Sequence, residues 1–367
     1  MQVNTNIILI TSIFPPQSGG PAVFTSRYSK WLMENGCTNK VISYSNDDKK
    51  CGNLNLVRLK PFRLYSFLRF VITIVINVDR ESLILANGAF LETLIACKIL
   101  RHDYVVKIPG DPVWEFIRNR GWTQLSREDF QNHRLGFIAT TLRFLYSISF
   151  KSAKYVICPS QELVDFSKKW GVPSEKIKLI YNCVDPIRFS VESKPHKQYD
   201  LISVSRLVTG KGFEELLDVT QKLNLSLAII GDGPLLKSLK SKSESKNINV
   251  NFLGNLPNDG LKPFLNSAKI FILNSESEAT SYALIEAKMC GLPIIAKNNP
   301  GSATVVRHMI DGILYPIGSI TNLEVAISTL IMDQSLILDY GTKGIEDSLI
   351  RFNQNLNFNQ ILETLRS

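Results

Sequence analysis

The sequence has few of the patterns that hold metal ions or covalent cross-links. Its four histidines lack metal-ligand spacing, and no Asp-x-Asp motif is present. Its six cysteines are scattered without a C-x2-C pair, which argues against a zinc ribbon and against a disulfide framework. We therefore expect a protein of a reducing cytosol that requires no metal cofactor.

Long apolar runs are also absent. The longest apolar stretch, residues 62–78, is interrupted by Arg63, Arg69 and Asn77 and falls short of a bilayer span. The N-terminus carries no positive charge before the apolar run at residues 7–10, which predicts a first strand rather than a signal peptide. The sequence therefore predicts a protein that is not integral to the membrane.

What the chain does have is enough apolar residues for two domains and an excess of basic charge. It contains 367 residues, 44% of them hydrophobic, and Lys and Arg give it a formal net charge of +9. Such a balance suits anionic small molecules or an anionic membrane face. No long basic run with interleaved aromatics is present, so a nucleic-acid partner is not expected.

The first half of the sequence alternates short apolar strands with helical patterns, which is typical of a parallel sheet covered by helices on both faces. We predict a Rossmann-like domain over residues 1–184. Its strands are expected at 6–12, 40–45, 55–59, 82–86, 104–108, 155–159 and 177–181, and its helices at 21–35, 64–77, 90–100, 135–152 and 161–170.

A polar, proline-marked connector at residues 185–199 separates this domain from a second alternation. We predict a second Rossmann-like domain over residues 200–349, and a C-terminal helix in 350–367 that returns to the first domain. Strands are expected at 200–205, 227–230, 249–253, 269–274 and 294–296, and helices at 212–223, 234–243, 259–267, 323–333 and 335–349, with a further helix between the Thr280/Ser281 cap and Gly291. The facing strand ends of the two halves would form a cleft.

Residues 269–293 form the most informative stretch of the chain. The apolar run 270–273 predicts a buried strand, and a Thr280/Ser281 cap predicts a helix that Gly291 ends. Such a turn places backbone N–H groups and the positive helix end at the carboxyl edge of a parallel sheet, where anions bind. The sequence therefore predicts a diphosphate site between the strand and the helix.

Two carboxylates span this turn, and they carry a family resemblance. Glu278 and Glu286 have seven residues between them, and Glu286 is followed by Ala-x-x-x-Gly-x-Pro. The stretch resembles the E-x7-E signature of retaining GT-B glycosyltransferases in the large group-1 family, which includes glycogen-synthase-like and bacterial mannosyltransferases. Ala279 stands where the family usually has glycine. The resemblance implies an α/β GT-B fold, with the parallel sheets of two Rossmann-like domains facing across a cleft.

The resemblance also implies roles for the residues of this turn in binding a nucleotide diphosphate sugar. Glu286 would hold the ribose hydroxyls of the donor, and Glu278 would orient the transferred sugar. Thr280, Ser281 and Tyr282, at the helix start, would contact the donor phosphates. Without the resemblance, each carboxylate would be interpreted as an ordinary surface acid.

Two cations follow the first strand of the second half. Arg206 and Lys211 lie in a loop that contains no acidic residue, where they could stabilise a diphosphate leaving group. Their separation by four residues is similar to the donor-phosphate pair of the family. The alternative interpretation is a solvated basic loop.

Glycines mark two further turns. Gly19 and Gly20 open the first helix and permit close approach to a ligand phosphate, as does the glycine-rich loop at this place in the family. Gly231 and Gly233 resemble the G-x-G-P turn of the family, where they would make room for the nucleotide. A plain strand-to-helix turn is the alternative for this second pair.

Many relatives present a histidine before glycine at the end of a first-domain strand, but here Pro109 stands in that place. We expect any polar role to pass to Asp111 or to residues near it. Residues 110–134, which contain Trp114 and Trp122, depart from the α/β pattern. They are predicted to face the acceptor, with a surface insertion as the alternative.

Together these features predict a cytoplasmic hexosyltransferase of surface polysaccharide or lipopolysaccharide biosynthesis, acting on a saccharide or lipid-linked saccharide acceptor. Peripheral association with the inner face of the plasma membrane is a further hypothesis, for which residues 62–78 are either a membrane-binding helix or a core helix. The alternatives are an epimerase or phosphorylase of the same fold, and a non-catalytic protein that binds nucleotide-sugars.

Overall fold

The structure, a computed structural model, describes residues 6–17, 19–45, 49–58, 63–193, 196–256 and 260–367. The first five residues, residues 194–195 of the predicted connector, and the predicted element ends at 59 and 259 lie outside the described residues. The chain divides into two compact units. Unit 1 comprises Met1–Tyr181 and Phe358–Ser367, and unit 2 comprises Asn182–Asn357.

Unit 1 contains an eight-stranded sheet in the order β3-β4-β2-β1-β5-β6-β7-β8. The sheet is parallel except for β3, which pairs antiparallel with β4. Its strands are β1 (Asn6–Thr11), β2 (Thr38–Ser45), β3 (Lys49–Cys51), β4 (Leu54–Arg58), β5 (Leu83–Asn87), β6 (Val105–Lys107), β7 (Tyr155–Cys158) and β8 (Ile177–Leu179). The predicted parallel sheet of the first half is therefore confirmed.

Helices cover the sheet of unit 1, and apolar residues of both form its core. They are α1 (Gly20–Glu34), α2 (Arg63–Asn77), α3 (Phe90–Leu100), α4 (Pro112–Arg118), α5 (Arg127–Asn132), α6 (Phe137–Ser152) and α7 (Gln161–Lys169). Ile8 and Ile10 of β1 pack in one cluster with Phe70 of α2 and Phe150 of α6, all at most 1% exposed. Burial on both faces explains why these strands are continuously apolar.

Unit 2 contains a six-stranded parallel sheet in the order β11-β10-β9-β12-β13-β14. Its elements are β9 (Tyr199–Val204), α8 (Phe213–Lys222), β10 (Leu227–Ile230), α9 (Leu236–Ser245), β11 (Val250–Phe252), α10 (Leu261–Asn266), β12 (Ala268–Leu273), α11 (Tyr282–Met289), β13 (Ile294–Lys297), α12 (Pro300–Val305), β14 (Gly312–Tyr315), α13 (Ile320–Met332) and α14 (Gln334–Arg351). The strand order 3-2-1-4-5-6 is that of dinucleotide-binding folds, and it reverses between β9 and β12.

The last helix, α15 (Gln354–Arg366), begins in unit 2 and enters unit 1 at Phe358. The Phe358 ring lies edge-on to Tyr28 and Trp31 of α1, with ring centroids 4.9 and 5.7 Å apart. These contacts of aromatic rings tie α15 to the first unit.

Several short elements are absent from the sequence prediction. β3 and β14 are edge strands, and α4, α5 and α12 are helices of six or seven residues. A helix of six or seven residues completes fewer than two turns, which is too few for the apolar period of a helix to be recognised. Among the described helices, none combines the length and the apolar character needed to cross a bilayer.

Candidate functional site

The loops at the carboxyl edge of the unit 2 sheet meet where the strand order reverses. The loop after β9 carries Arg206 and Lys211, and the loop after β12 carries Glu278 and leads into α11. Because β9 and β12 are neighbours in the sheet, these two loops lie side by side. This is the place where open α/β sheets bind their ligands.

Lys211 and Glu278 are in contact across the two loops. The Lys211 ammonium donates to Ser275 Oγ at 3.1 Å and forms an ion pair with Glu278 Oε1. Their side chains are 19% and 15% exposed, so the pair lies at a partly open surface. We expected two cations in a loop without acidic residues. The loop itself has none, but the neighbouring loop supplies a carboxylate to Lys211.

Arg206 has a different environment. Its side chain is exposed, and within the described ranges no carboxylate forms an ion pair with it. The two predicted phosphate-binding cations therefore lie in one loop. Lys211 is held by Glu278, and Arg206 is accessible to solvent.

Polar residues that sequence reasoning missed support the loop after β12. The Asn274 amide donates to Gly212 O at 2.6 Å and to Glu215 Oε2 at 2.9 Å, and it accepts from the Tyr315 hydroxyl. The Asn299 amide donates to Ser275 O at 3.0 Å. The position of Asn274 in the sequence could have indicated this role, because Asn274 directly follows the apolar strand β12.

The helix α11 begins at Tyr282, but the predicted side-chain cap does not form. Ser281 stands at the N-cap position without a side-chain capping hydrogen bond, and Thr280 Oγ1 donates instead to Ala279 O at 2.7 Å. The cap prediction is therefore wrong for Ser281, the residue at the N-cap position. The predicted end is confirmed, since Gly291 follows α11 with a φ of 75°.

Glu286 lies in the second turn of α11 and is 4% exposed. Burial, with the charge of Glu286 as the next cause, raises the pKa of Cys290 to about 12, so this thiol stays protonated. Glu286 thus presents a nearly buried carboxylate just after the helix start.

The far side of α11 is fixed by a buried ionic cluster. Lys288 is 0% exposed, and its ammonium lies 2.9 Å from Asp311 Oδ2 and 2.5 Å from Asp347 Oδ2, while it donates to Val305 O at 2.7 Å. Asp347 is also held by Arg351. The cluster joins α11 to the end of α12 and to α14.

The turn after β10 packs against the loop after β9. Gly231 has a φ of 143°, and a Cβ added there would lie 1.9 Å from Ser205 O. A Cβ added at Gly233 would lie 2.4 Å from Leu207 O. In this structure the two glycines allow close packing of the loop that carries Arg206.

In unit 1, Gly19 occupies the N-cap position of α1 and Gly20 is its first residue, directly beyond β1. Asn87, at the end of the neighbouring strand β5, donates to Pro21 O and to Thr25 Oγ1, each at 3.2 Å, and is 2% exposed. Asn87 therefore fixes the first turn of α1. Sequence reasoning missed it, although it too is a polar residue that ends an apolar strand.

Asp111 is engaged on every side. One carboxylate oxygen accepts from the Val113 and Trp114 amides, and the other accepts from Gln131 Nε2 at 2.6 Å and Arg143 Nη2 at 2.9 Å. The residue is 0% exposed. This geometry favours a role in capping α4 and holding α6 over direct contact with a substrate.

Residues 110–134 fold into α4, α5 and their connections. Val113, Trp114, Ile117, Phe130 and Ala139 form a separate apolar cluster beside the main core. The segment is thus a small helical layer with its own core.

Across the described ranges, no group of three His, Cys, Asp or Glu side chains could hold a metal ion.

Two Rossmann-like units with polar loops at their sheet edges define the GT-B class of proteins, and solved structures support this fold. Anabaena HepE, in complex with UDP and glucose, matches with a TM-score of 0.78 over 98% of this chain and 99% of its own, at 20% identity. A sucrose-phosphate synthase from Thermosynechococcus elongatus matches with a TM-score of 0.80 over 99% and 98%, at 18% identity.

Family models give the more specific assignment. Residues 185–347 match the model described as glycosyl transferases group 1, and residues 117–188 match the one described as glycosyltransferase family 4. The C-terminal part of the chain, residues 185–347, is therefore similar to the group-1 glycosyltransferases.

Curated relatives match over part of their length. The amylovoran biosynthesis glycosyltransferase AmsK of Erwinia amylovora is 25% identical over 55% of this chain and 55% of its own. The N,N'-diacetylbacillosaminyl-diphospho-undecaprenol alpha-1,3-N-acetylgalactosaminyltransferase of Campylobacter jejuni is 24% identical over 60% and 63%. The chain thus spans just over half the length of these relatives.

Proposed function

We propose that the protein transfers a hexose, with retention at the anomeric carbon, from a nucleotide diphosphate sugar to a saccharide or lipid-linked saccharide. The observation that carries this proposal is the pair of adjacent loops at the strand-order reversal of unit 2. One loop supplies Arg206 and Lys211, and the other supplies Glu278 and the start of α11. Two cations and a helix N-terminus suit a diphosphate.

The contacts of Lys211 suggest how the donor binds. An ammonium group has three protons, and Ser275 and Glu278 accept two of them, which leaves one for a phosphate oxygen. The accessible guanidinium of Arg206 would take a second phosphate oxygen. Both charges would strengthen their hold as the diphosphate departs, so they stabilise the transition state more than the bound donor.

Glu278 and Glu286 would then bind the parts of the donor other than the diphosphate. Glu278, fixed by Lys211, lies beside the proposed diphosphate site and would accept hydrogen bonds from the transferred sugar. Glu286, further along α11, would accept two hydrogen bonds from the ribose diol. In unit 1, we assign Gly19 and Gly20 to close contact with a ligand phosphate, and Asp111 to positioning α4 and α6. No step in this proposal requires a metal ion.

The relatives support a role in surface polysaccharide biosynthesis. AmsK is named for amylovoran biosynthesis, and the Campylobacter relative is named for a diphospho-undecaprenol acceptor. HepE was solved with UDP and glucose, a nucleotide and a sugar of the kind proposed here. These names do not favour the epimerase, the phosphorylase or the non-catalytic alternative.

We further propose that the protein works at the cytoplasmic face of an anionic membrane. In unit 1, α2 packs beside α3, and α3 beside α6. All three helices expose large apolar side chains, which is unusual for a surface without a partner. They are Leu64, Tyr65, Leu68, Ile72 and Ile76 on α2, Ile95 and Ile99 on α3, and Phe137, Ile138, Phe144 and Leu145 on α6.

A panel of nucleotide-sugars tests the enzymatic proposal. Thermal shift identifies the donor that binds, and release of nucleoside diphosphate with and without saccharide acceptors measures hydrolysis and transfer. NMR of the product gives its anomeric configuration. We expect stabilisation, release and retention with one donor. A donor that stabilises the fold but is never cleaved, with any acceptor, would support the non-catalytic alternative and overturn ours.

A further inference from the structure

The helical segment of unit 1 contains an apolar pocket that the proposed donor chemistry does not use. The pocket has a volume of about 570 Å³ and lies between α4, α5 and the start of α6. Its floor contains Ile117, Phe130 and Ala139, which are 6%, 3% and 5% exposed. Its rim contains Trp122 and Phe137, which are 57% and 87% exposed. A concave site of this size and lining suits an apolar ligand.

A second pocket, of about 610 Å³, adjoins the first and is basic. Arg134 and Leu135 line both pockets, and Arg143, Phe144 and Lys151 continue the second. Arg143 is held by Asp111 and Gln131, so the accessible cations are Arg134 and Lys151. No carboxylate lines either pocket, and within the described residues none forms an ion pair with Arg134.

We propose that these joined pockets bind one amphiphile, with its apolar chain in the first pocket and its phosphate between Arg134 and Lys151. The inference rests on the proposed function in one respect, namely that the acceptor is lipid-linked. The ligand class is an isoprenoid phosphate or diphosphate that carries the acceptor saccharide. Apolar walls next to two cations match such a molecule in shape and charge.

The concave floor favours a single bound lipid over simple contact with a bilayer. A flat membrane surface would meet the protruding rim residues Trp122 and Phe137. It would not reach Phe130, which is buried at the bottom of the pocket. A chain that leaves the membrane and enters the pocket would bury both the rim and the floor.

Binding of farnesyl phosphate, measured by isothermal titration calorimetry below its micelle concentration, tests the proposal. Farnesol and inorganic phosphate are the two comparison ligands. We expect farnesyl phosphate to bind at least about tenfold more tightly than either, because it fills both pockets at once. Ile138→Asp should abolish this binding, and Arg134→Gln should reduce it to the level of farnesol. Ile99→Asp, at a residue 62% exposed on α3 that lines neither pocket, is the matched control and should bind normally.

Two outcomes would overturn the inference. One is equal binding of farnesyl phosphate by the wild type and by both pocket variants. The other is loss of binding in an Arg206→Ala/Lys211→Ala variant, which would place the phosphate in unit 2. Vesicle binding without farnesyl phosphate binding would also count against it, while leaving the membrane proposal intact. Because the readout is lipid binding, failure to find donor turnover does not affect the result.

Discussion

At the scale of single residues, the proposed chemistry depends first on the two cations after β9. Arg206→Ala and Lys211→Ala should each raise the activation free energy of transfer by about 2–4 kcal/mol, as removal of preorganised charge stabilisation does in other enzymes. Both should leave folding nearly unchanged, because Arg206 is exposed and Lys211 lies at a partly open surface. Steady-state kinetics and thermal melts provide the measurements.

A matched control for these variants is Lys222→Ala. Lys222 lies on α8, the helix that follows the same loop, and its side chain is 66% exposed and pairs with Glu324. Turnover of this control should stay at the wild-type level. If both Arg206→Ala and Lys211→Ala also turn over normally, the loop after β9 has no part in the reaction.

Glu286 carries the second prediction at this scale. Glu286→Gln keeps the shape of the side chain but removes its charge and one acceptor oxygen. Donor affinity should fall by roughly 1–3 kcal/mol, while the melting temperature moves by no more than about 2 °C. Isothermal titration with the cognate nucleotide decides. Unchanged affinity would mean that α11 is merely a structural helix, and Glu244→Gln on α9 serves as the neutral control.

At the scale of secondary-structure elements, the ionic cluster behind α11 makes a pH-dependent contribution to stability. Burial by itself would raise the pKa of Asp347, but hydrogen bonds from Arg351 and Lys288 outweigh it and hold that pKa below its usual range. The ionised carboxylate therefore stabilises unit 2 at pH values above its unfolded pKa, near 4. This stabilisation is lost as the pH falls through the lower, folded pKa.

Asp347→Asn should consequently lower the free energy of unfolding by about 3 kcal/mol at about pH 6. The difference from the wild type should begin to narrow below about pH 4, where Asp347 of the unfolded chain takes up a proton, and should continue to narrow as the pH falls through the lower pKa of the folded state. Denaturant titrations of both proteins at about pH 6 and below about pH 4 measure the difference in the free energy of unfolding at each pH. The control is Asp339→Asn, which removes an exposed acid of the same helix that pairs with Lys343. This variant should change the free energy of unfolding little at either pH. If the difference in the free energy of unfolding between the wild type and Asp347→Asn stayed constant with pH, the stabilising role of the ionised Asp347 carboxylate would be contradicted.

The long helices and most of the apolar strands could be predicted from the sequence, whereas the short helices α4, α5 and α12 and the strands β3 and β14 could not. The helix at 90–100 and the strand at 227–230 are confirmed to the residue. In contrast, α4 begins at a proline and extends for seven residues. The Asp111 carboxylate that caps α4 is itself held by Gln131 and Arg143, and no local pattern reveals these two tertiary contacts.

The candidate site shows the same division. Local sequence placed Arg206, Lys211, Glu278 and Glu286 around one sheet edge, because the first two follow one apolar strand and the other two follow another. It could not give the ion pair of Lys211 with Glu278. These two residues are 67 positions apart in the sequence and meet because β9 and β12 are neighbours in the sheet. Sequence reasoning also missed Asn274, whose amide holds the loop after β12, and Asn87, whose amide holds the first turn of α1.

At the scale of the whole molecule, the exposed apolar layer of α2, α3 and α6 predicts membrane binding. The protein should float with anionic vesicles at low salt and less so at moderate salt, because its net charge of +9 contributes to attraction that salt screens. A Leu68→Asp/Ile72→Asp variant, at residues 52% and 58% exposed, should lose flotation without loss of folding.

The control for this experiment comes from unit 2. Val325 and Met332 of α13 are 58% and 85% exposed, and a Val325→Asp/Met332→Asp variant should float like the wild type. Loss of flotation in both double variants would point to general destabilisation or charge alone. Absence of wild-type flotation at low salt would remove the electrostatic part of the membrane proposal.

The path of α15 sets an order of events during synthesis on the ribosome. Phe358 covers the rings of Tyr28 and Trp31, but the whole of unit 2 is made between residue 181 and this helix. At about 5–20 residues per second, unit 1 emerges roughly 10–35 s before the segment that completes it. During that interval α1 presents an uncovered aromatic surface, which is the kind of surface that chaperones recognise. A nascent chain stopped before residue 354 should therefore keep that surface exposed, however well its two sheets have formed.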